Sequence, residues 1–85
     1  MELSIPAWFK YRQGVAEPAG DRCYKLTAPL ADEVYIRIRE KDGTWQAAIS
    51  EAADGLDLRS TEFNFASERD AWTAAFDLYR VEKLN

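Results

Sequence analysis

The side chains that most often carry out catalysis are nearly absent from this chain of 85 residues. There is no histidine, which is the usual general base and a frequent metal ligand, and there is one cysteine, Cys23. A Ser-His-Asp or Cys-His site therefore cannot form within one chain. Cys23 needs an activating neighbour to act as a nucleophile, and we expect it to be a small packing residue on a strand. No zinc spacing or phosphate-binding glycine motif is present, so we expect no enzymatic activity, no metal and no organic cofactor.

An acidic segment at residues 51–57 has some features of a calcium-binding loop. Aligning Gly55 with the fixed glycine of an EF-hand loop places Ser50 at the first ligand position and Thr61 at the last. The bidentate glutamate is missing from that last position, so the segment predicts a solvated turn instead. The acids of this region form an acidic rim that is a second candidate contact surface: Glu51, Asp54, Asp57 and Glu62.

Three side chains on one predicted strand form the leading candidate contact surface: Tyr35, Arg37 and Arg39. They alternate with apolar residues, and alternate side chains of a strand point to opposite faces of the sheet. If the apolar set faces a helix, the tyrosine and the two arginines lie on the exposed face. Arginine binds carboxylate or phosphate in bidentate geometry, and Tyr and Arg are enriched at interface hot spots.

A third candidate surface is the aromatic segment that contains Trp8, Phe9 and Tyr11. These rings complete the core, cover the open face of the sheet, or form an exposed docking arm. In the docking role they would flank the Tyr35, Arg37 and Arg39 surface. The local structure of this segment has two alternatives. Residues 4–13 fit a short helix capped by Ser4 with Pro6 in its first turn, or an extended arm.

The apolar periodicity predicts one α+β domain over residues 1–85, with an antiparallel sheet of three to four strands and a C-terminal helix on one face. Strands are predicted near 22–28, 33–40, 44–50 and 56–65, and the helix near 68–82, with Ser67 as its N-cap. Residues 14–20 hold two glycines and a proline and predict a loop. The apolar parity changes within 56–65, which predicts a bulge or bend near 60–62. The expected core contains Trp45, Ile36, Ile38, Phe65, Trp72, Phe76 and Tyr79.

Part of this pattern resembles that of a known family. The matching residues are Arg37-x-Arg39, Gly43-x-Trp45-x-Ala47-x-Ile49, Phe65-x-Ser67, Ala71, Ala74 and Phe76-Asp77. Through them residues 35–77 resemble the APETALA/ethylene-response-factor DNA-binding domain and its phage integrase relatives. The resemblance implies three strands followed by one helix, with the exposed sheet face in the DNA major groove. It further implies that Arg37, Arg39 and Arg59 contact the DNA.

The charge balance favours a protein partner over nucleic acid. Fifteen acids against eleven bases give a net charge of −4, whereas proteins that bind nucleic acid or anionic lipid non-specifically are usually basic. No apolar run approaches the ~18 residues of a membrane span, and the N-terminal residues lack the pattern of a signal peptide. We therefore expect a cytoplasmic protein with no membrane partner.

The leading expectation is a small non-catalytic module that binds a protein through Tyr35, Arg37 and Arg39, flanked by Trp8, Phe9 and Tyr11. It would serve as an accessory subunit, a regulator, or a stoichiometric inhibitor of the kind that phages encode. A DNA-binding domain is the alternative function. A second copy of this chain is the alternative protein partner, since self-association often supplements a thin core.

Overall fold

Five antiparallel strands and two helices are formed by residues 5–29, 31–52 and 55–83, the part of the chain that a computed structural model describes. The elements are α1 (Ala7–Tyr11), β1 (Val15–Gly20), β2 (Cys23–Thr27), β3 (Val34–Lys41), β4 (Thr44–Ser50), β5 (Asp57–Ser60) and α2 (Glu68–Lys83). The strands lie in one sheet in chain order, and each pairs with the next. The predicted α+β class, antiparallel sheet and C-terminal helix are confirmed. Neither helix is long and apolar enough to cross a membrane.

The sheet has five strands and not the predicted three to four. The additional strand is β1, which lies in residues 14–20, where a loop was predicted. Val15 pairs with Thr27 and Ala16 with Leu26 across β1 and β2. Pro18 lies inside β1, and the register shifts between Pro18 and Gly20. A proline is tolerated here because β1 is an edge strand, where the missing N–H can face away from the sheet.

The two helices cover the same face of the sheet. Alternation along β3 buries Val34, Ile36 and Ile38 toward them. Ser67 caps α2 as predicted, because its Oγ accepts a hydrogen bond of 3.1 Å from the N–H of Asp70. The buried face of α2 consists of Ala71, Trp72, Ala75, Phe76 and Tyr79.

The aromatic segment forms a helix, so the extended alternative for residues 4–13 is wrong. Helix α1 begins at Ala7 and follows an extended Pro6, which occupies the N-cap position in place of the predicted Ser4. Ser4 lies outside the described residues. The Phe9 ring is fully buried, with its centroid 5.3 Å from that of Phe76. The core therefore includes a ring from α1 as well as those from α2.

The strand predicted over 56–65 is shorter than expected, because the regular strand stops where a bulge or bend was predicted near 60–62. Strand β5 ends at Ser60, and Phe65 then returns to form an isolated bridge with Trp45. The N–H of Trp45 donates to the Phe65 carbonyl at 2.9 Å, and the Phe65 N–H donates to the Trp45 carbonyl at 3.3 Å. Of the seven expected core residues, five are buried, and Trp45 and Phe65 are half-buried against the core.

Candidate functional site

Tyr35, Arg37 and Arg39 lie on the sheet face opposite the two helices, which we call the open face. All three side chains are half-buried, and they alternate with the buried residues of β3. Strand pairing places Lys25 and Ser50 beside Tyr35 on this face. The outward direction predicted for the three residues is therefore confirmed.

Arg37 lies between Tyr35 and Arg39 on β3 and is held by hydrogen bonds. Its Nη2 donates to Ser50 Oγ at 2.9 Å and to the Ala52 carbonyl at 3.3 Å. Ser50 Oγ also donates to the Ala52 carbonyl at 2.8 Å. The Ser50 side chain is fully buried, so the hydrogen bond from Arg37 satisfies a polar atom that solvent does not reach.

Arg39 is held by the acid and the amide opposite it. Its Nη1 and Nη2 donate to the two carboxylate oxygens of Asp57 at 2.9 and 3.0 Å. Nη1 also donates to Gln46 Oε1 at 3.0 Å. The hydrogen bonds with Asp57 raise the pKa of Arg39 further above its ordinary value. The open face thus presents guanidinium groups whose positions are already set.

Cys23 lies next to Arg37 in the sheet register and is buried. Burial raises the pKa of its thiol above the ordinary value, and the nearby Arg37 charge offsets part of that rise. The thiol is therefore protonated at neutral pH, and the reactive thiolate is scarce. This placement matches the packing role expected for Cys23.

Trp8, Phe9 and Tyr11 do not join Tyr35, Arg37 and Arg39 on one surface. Phe9 is sealed in the core on the helix side, and the Trp8 ring stacks against Tyr79 with 6.5 Å between centroids. Tyr11 is 89% exposed but also belongs to α1. The expectation that these rings flank the open face is corrected, because α1 holds all three on the helix side of the sheet. Packing Phe9 and Trp8 against α2 removes more of these two rings from water than an exposed arm would.

The acidic rim is partly neutralised by neighbouring bases. Glu51 lies 3.7 Å from Lys83 Nζ, and Asp57 binds Arg39. Glu62 is exposed, and Asp54 falls outside the described residues. Within residues 5–29, 31–52 and 55–83, no group of three or more His, Cys, Asp or Glu side chains could hold a metal ion.

Arg59, which the family resemblance names as a DNA contact, lies on the helix side of the sheet. It pairs in register with the buried Ile49, and its Nε lies 2.6 Å from Glu82 Oε1 of α2. It cannot join Arg37 and Arg39 on the open face, because residues directly opposite in a ladder share one face.

The partners that fix the two arginines were not predicted from the sequence. Ser50, Gln46 and Asp57 come from strands that follow β3 in the chain, and only the pairing register brings them beside Arg37 and Arg39. The alternation of polar residues along 44–50 was the available signal for Gln46 and Ser50.

Comparisons of the chain with protein-family models, with curated proteins and with solved structures find no match. Its function is therefore inferred from the geometry described above.

Proposed function

We propose that this protein is a non-catalytic interaction module of the cytoplasm that binds a protein partner through the open face, centred on Tyr35, Arg37 and Arg39. One observation carries the proposal. Both described helices cover the same side of the sheet, so no described element covers the face that bears these side chains.

The order of the side chains supports a binding role. A partner that meets Arg37 and Arg39 does not have to restrict them from many rotamers, because hydrogen bonds with Ser50 and Asp57 already hold them. Immobilising a long side chain on binding costs about 0.5–1.5 kcal/mol, so this cost is reduced here. Tyr35 adds a rigid ring of the type that is enriched at hot spots.

The mixed charge of the face favours a protein over a polyanion. Lys25 of the open face lies 3.8 Å from Glu33, and Arg39 is neutralised by Asp57. A surface on which bases alternate with acids is complementary to another surface of mixed charge.

The test is affinity capture from native cells with the wild type and with a Tyr35→Ala/Arg37→Ala variant. The matched control is Tyr11→Ala/Arg12→Ala, which removes an exposed tyrosine and arginine from the helix side. We expect a stoichiometric partner that the open-face variant loses and the control retains. Equal capture by both variants would refute the open face as the contact surface. Circular dichroism establishes that each variant is folded.

Sedimentation of the purified protein tests whether the partner is a second copy. A dimer that the Tyr35→Ala/Arg37→Ala variant converts to monomer would identify self-association through the open face. A monomer across the micromolar range would leave a different protein as the partner.

DNA binding is the second candidate function, because Arg37 and Arg39 lie on the open face, where the family resemblance puts its DNA contacts. It predicts a complex that weakens steeply with salt, since each phosphate contact releases a counterion. Arg37→Glu/Arg39→Glu should abolish the complex, and Asp57→Asn should strengthen it by freeing Arg39. If gel-shift assays at low salt show no complex with either duplex or single-stranded DNA, this candidate is excluded.

A further inference from the structure

A groove of about 560 Å³ runs along α2 on the side of β5. Its apolar lining comes from Phe65, Ala74, Leu78 and Val81. Val81 is 51% exposed even though it is a large apolar residue. The groove thus leaves apolar surface open to water beside the last strand of the sheet.

Strand β5 borders this groove and forms one edge of the sheet. The N–H of Thr61 donates to the Ala47 carbonyl at 2.9 Å. Hydrogen-bonding direction alternates along an antiparallel strand, so the N–H and C=O of Ser60 point away from β4. An added strand can bond to these groups.

The two sheet edges differ in their protection against such pairing. The register of each edge strand shifts once against its neighbour, so this feature does not distinguish the edges. β1, at the opposite edge, also contains Pro18, which cannot donate a backbone hydrogen bond to an added strand. β5 contains no proline and no lysine, the residues that usually block an edge, so pairing with another segment is more favourable at β5.

The charge at the rim of the groove indicates the chemistry of its occupant. Asp70 and Asp77 line it and are exposed, and among the described residues no base lies within ion-pair distance of either carboxylate. Arg59, the base among the lining residues named for the groove, is held by Glu82. A cationic segment is complementary to this rim, whereas a second copy placed edge to edge would bring like charges together.

The length of the groove fits a short extended segment. The lining of α2 extends from Asp70 to Val81, which corresponds to about 16 Å of helix. An extended chain rises about 3.3 Å per residue, so roughly five residues match this length.

We propose that β5 and the groove bind an extended segment of a partner protein by strand addition. The segment bonds to the outward N–H and C=O of Ser60, places alternate apolar side chains over Leu78 and Val81, and directs Lys or Arg to Asp70 and Asp77. This site goes beyond the open-face proposal and lies on other residues, so either proposal can fail without the other.

The test is a selection of random seven-residue peptides displayed on phage against the folded, immobilised protein. We expect enriched sequences with alternating apolar positions and at least one Lys or Arg. The synthetic, end-capped form of the enriched peptide then serves as the probe in titrations. No enrichment, or enrichment of acidic sequences, would overturn the proposal.

Matched variants locate the bound peptide. Val81→Lys should weaken binding at least tenfold, while Val15→Lys, at a valine that is 49% exposed on the far edge, should not. Ser60→Pro removes the outward N–H and should also weaken binding tenfold, whereas Ser60→Ala keeps the N–H and the affinity. Tyr35→Ala should have no effect. Affinities within threefold of the wild type for both Val81→Lys and Ser60→Pro would refute the site.

A peptide with alternate backbone nitrogens methylated provides the same test on the wild-type protein, in case Ser60→Pro does not fold. It keeps every side chain but loses the strand hydrogen bonds. We expect at least a tenfold loss of affinity in one of the two methylation registers. Unchanged binding in both registers would exclude strand addition.

Discussion

Arg39 and Asp57 connect two strands that do not touch each other, since β4 lies between β3 and β5. The guanidinium of Arg39 binds both carboxylate oxygens of Asp57 while its Nη1 also bonds to Gln46 on β4. One side chain thus ties three strands together on a face that no described helix covers. Bidentate pairs of this kind are the most strongly oriented ion pairs in proteins.

Replacing Asp57 with asparagine should lower the free energy of unfolding by about 1 kcal/mol, because the pair is partly exposed and screened by solvent. Urea denaturation at low salt measures the change, and the difference from wild type should shrink in 1 M salt. Glu40→Gln, at an exposed position of β3 next to Arg39, is the control and should change little. A loss that is equal in both variants would contradict the role of the pair.

Gly14 should not tolerate alanine. A Cβ at this position would lie 2.5 Å from Cε1 of Phe9, whose ring is fully buried and cannot move aside. Overpacking of this kind costs about 1–3 kcal/mol. Thermal denaturation of Gly14→Ala tests the expectation.

The matched comparison for Gly14→Ala is Gly43→Ala. Gly43 has φ of +82° and open space around its Cβ position, so only backbone strain of about 1–2 kcal/mol opposes the substitution. Combining each substitution with Phe9→Leu separates the two causes. The smaller side chain should relieve Gly14→Ala and leave Gly43→Ala unchanged, and no relief at Gly14 would contradict the steric explanation.

Phe76→Ala should lower the free energy of unfolding by about 3–5 kcal/mol, which is most of the stability of so small a domain. The ring is fully buried and contacts the rings of Phe9 and Trp8. Val81→Ala, at an exposed position of the same helix, should cost under about 0.5 kcal/mol. Equilibrium urea unfolding compares them, and a cost below 1 kcal/mol for Phe76→Ala would be incompatible with this core.

Tyr79→Phe should leave the protein as stable as the wild type or raise its stability by about 1 kcal/mol. The Tyr79 hydroxyl is buried and has no hydrogen-bond partner among the described residues. Removing a buried polar atom that lacks a partner removes its desolvation cost. Calorimetric melting at neutral pH is the measurement, and a clear loss of stability would reveal a partner for the hydroxyl.

The same residue predicts a dependence on alkaline pH. Burial raises the pKa of Tyr79 above its ordinary value, and the charge of Arg12 offsets part of that rise. As pH rises, the unfolded chain therefore loses the Tyr79 proton before the folded protein does. The stability that the protonated Tyr79 contributes is fully present below about pH 10 and is lost as pH rises further. Wild-type stability should decline more steeply above pH 10 than that of Tyr79→Phe. If the stability of both proteins fell equally with pH, the raised pKa of Tyr79 would be contradicted.

The elements with regular alternation could be predicted from the sequence. Val34, Ile36 and Ile38 fix both the strand and its buried face, and Ser67 marks the start of α2. β1 could not be predicted, because Pro18 and the glycines favour a loop and only the edge position makes a strand tolerable.

The sheet face that bears the candidate site could be predicted, but the partners of its side chains could not. The alternation of side chains along β3 placed Tyr35, Arg37 and Arg39 on the open face. The place of Phe9 was left undecided, because a short apolar segment does not reveal which surface it packs on. The Arg39 to Asp57 pair depends on the register of three strands, which local sequence does not determine.

Strand order in the sheet follows chain order, and this sets an assembly sequence. Each strand pairs with the one made just before it, so the sheet closes through short loops at low entropic cost. The contact between Phe9 and Phe76 joins residues far apart in sequence, so it closes a much longer loop than any strand pairing does. Until α2 has been synthesised, the residues of β3 that it covers lack their main apolar partner. We therefore expect aggregation during synthesis to depend on this exposed apolar surface more than on errors of strand order.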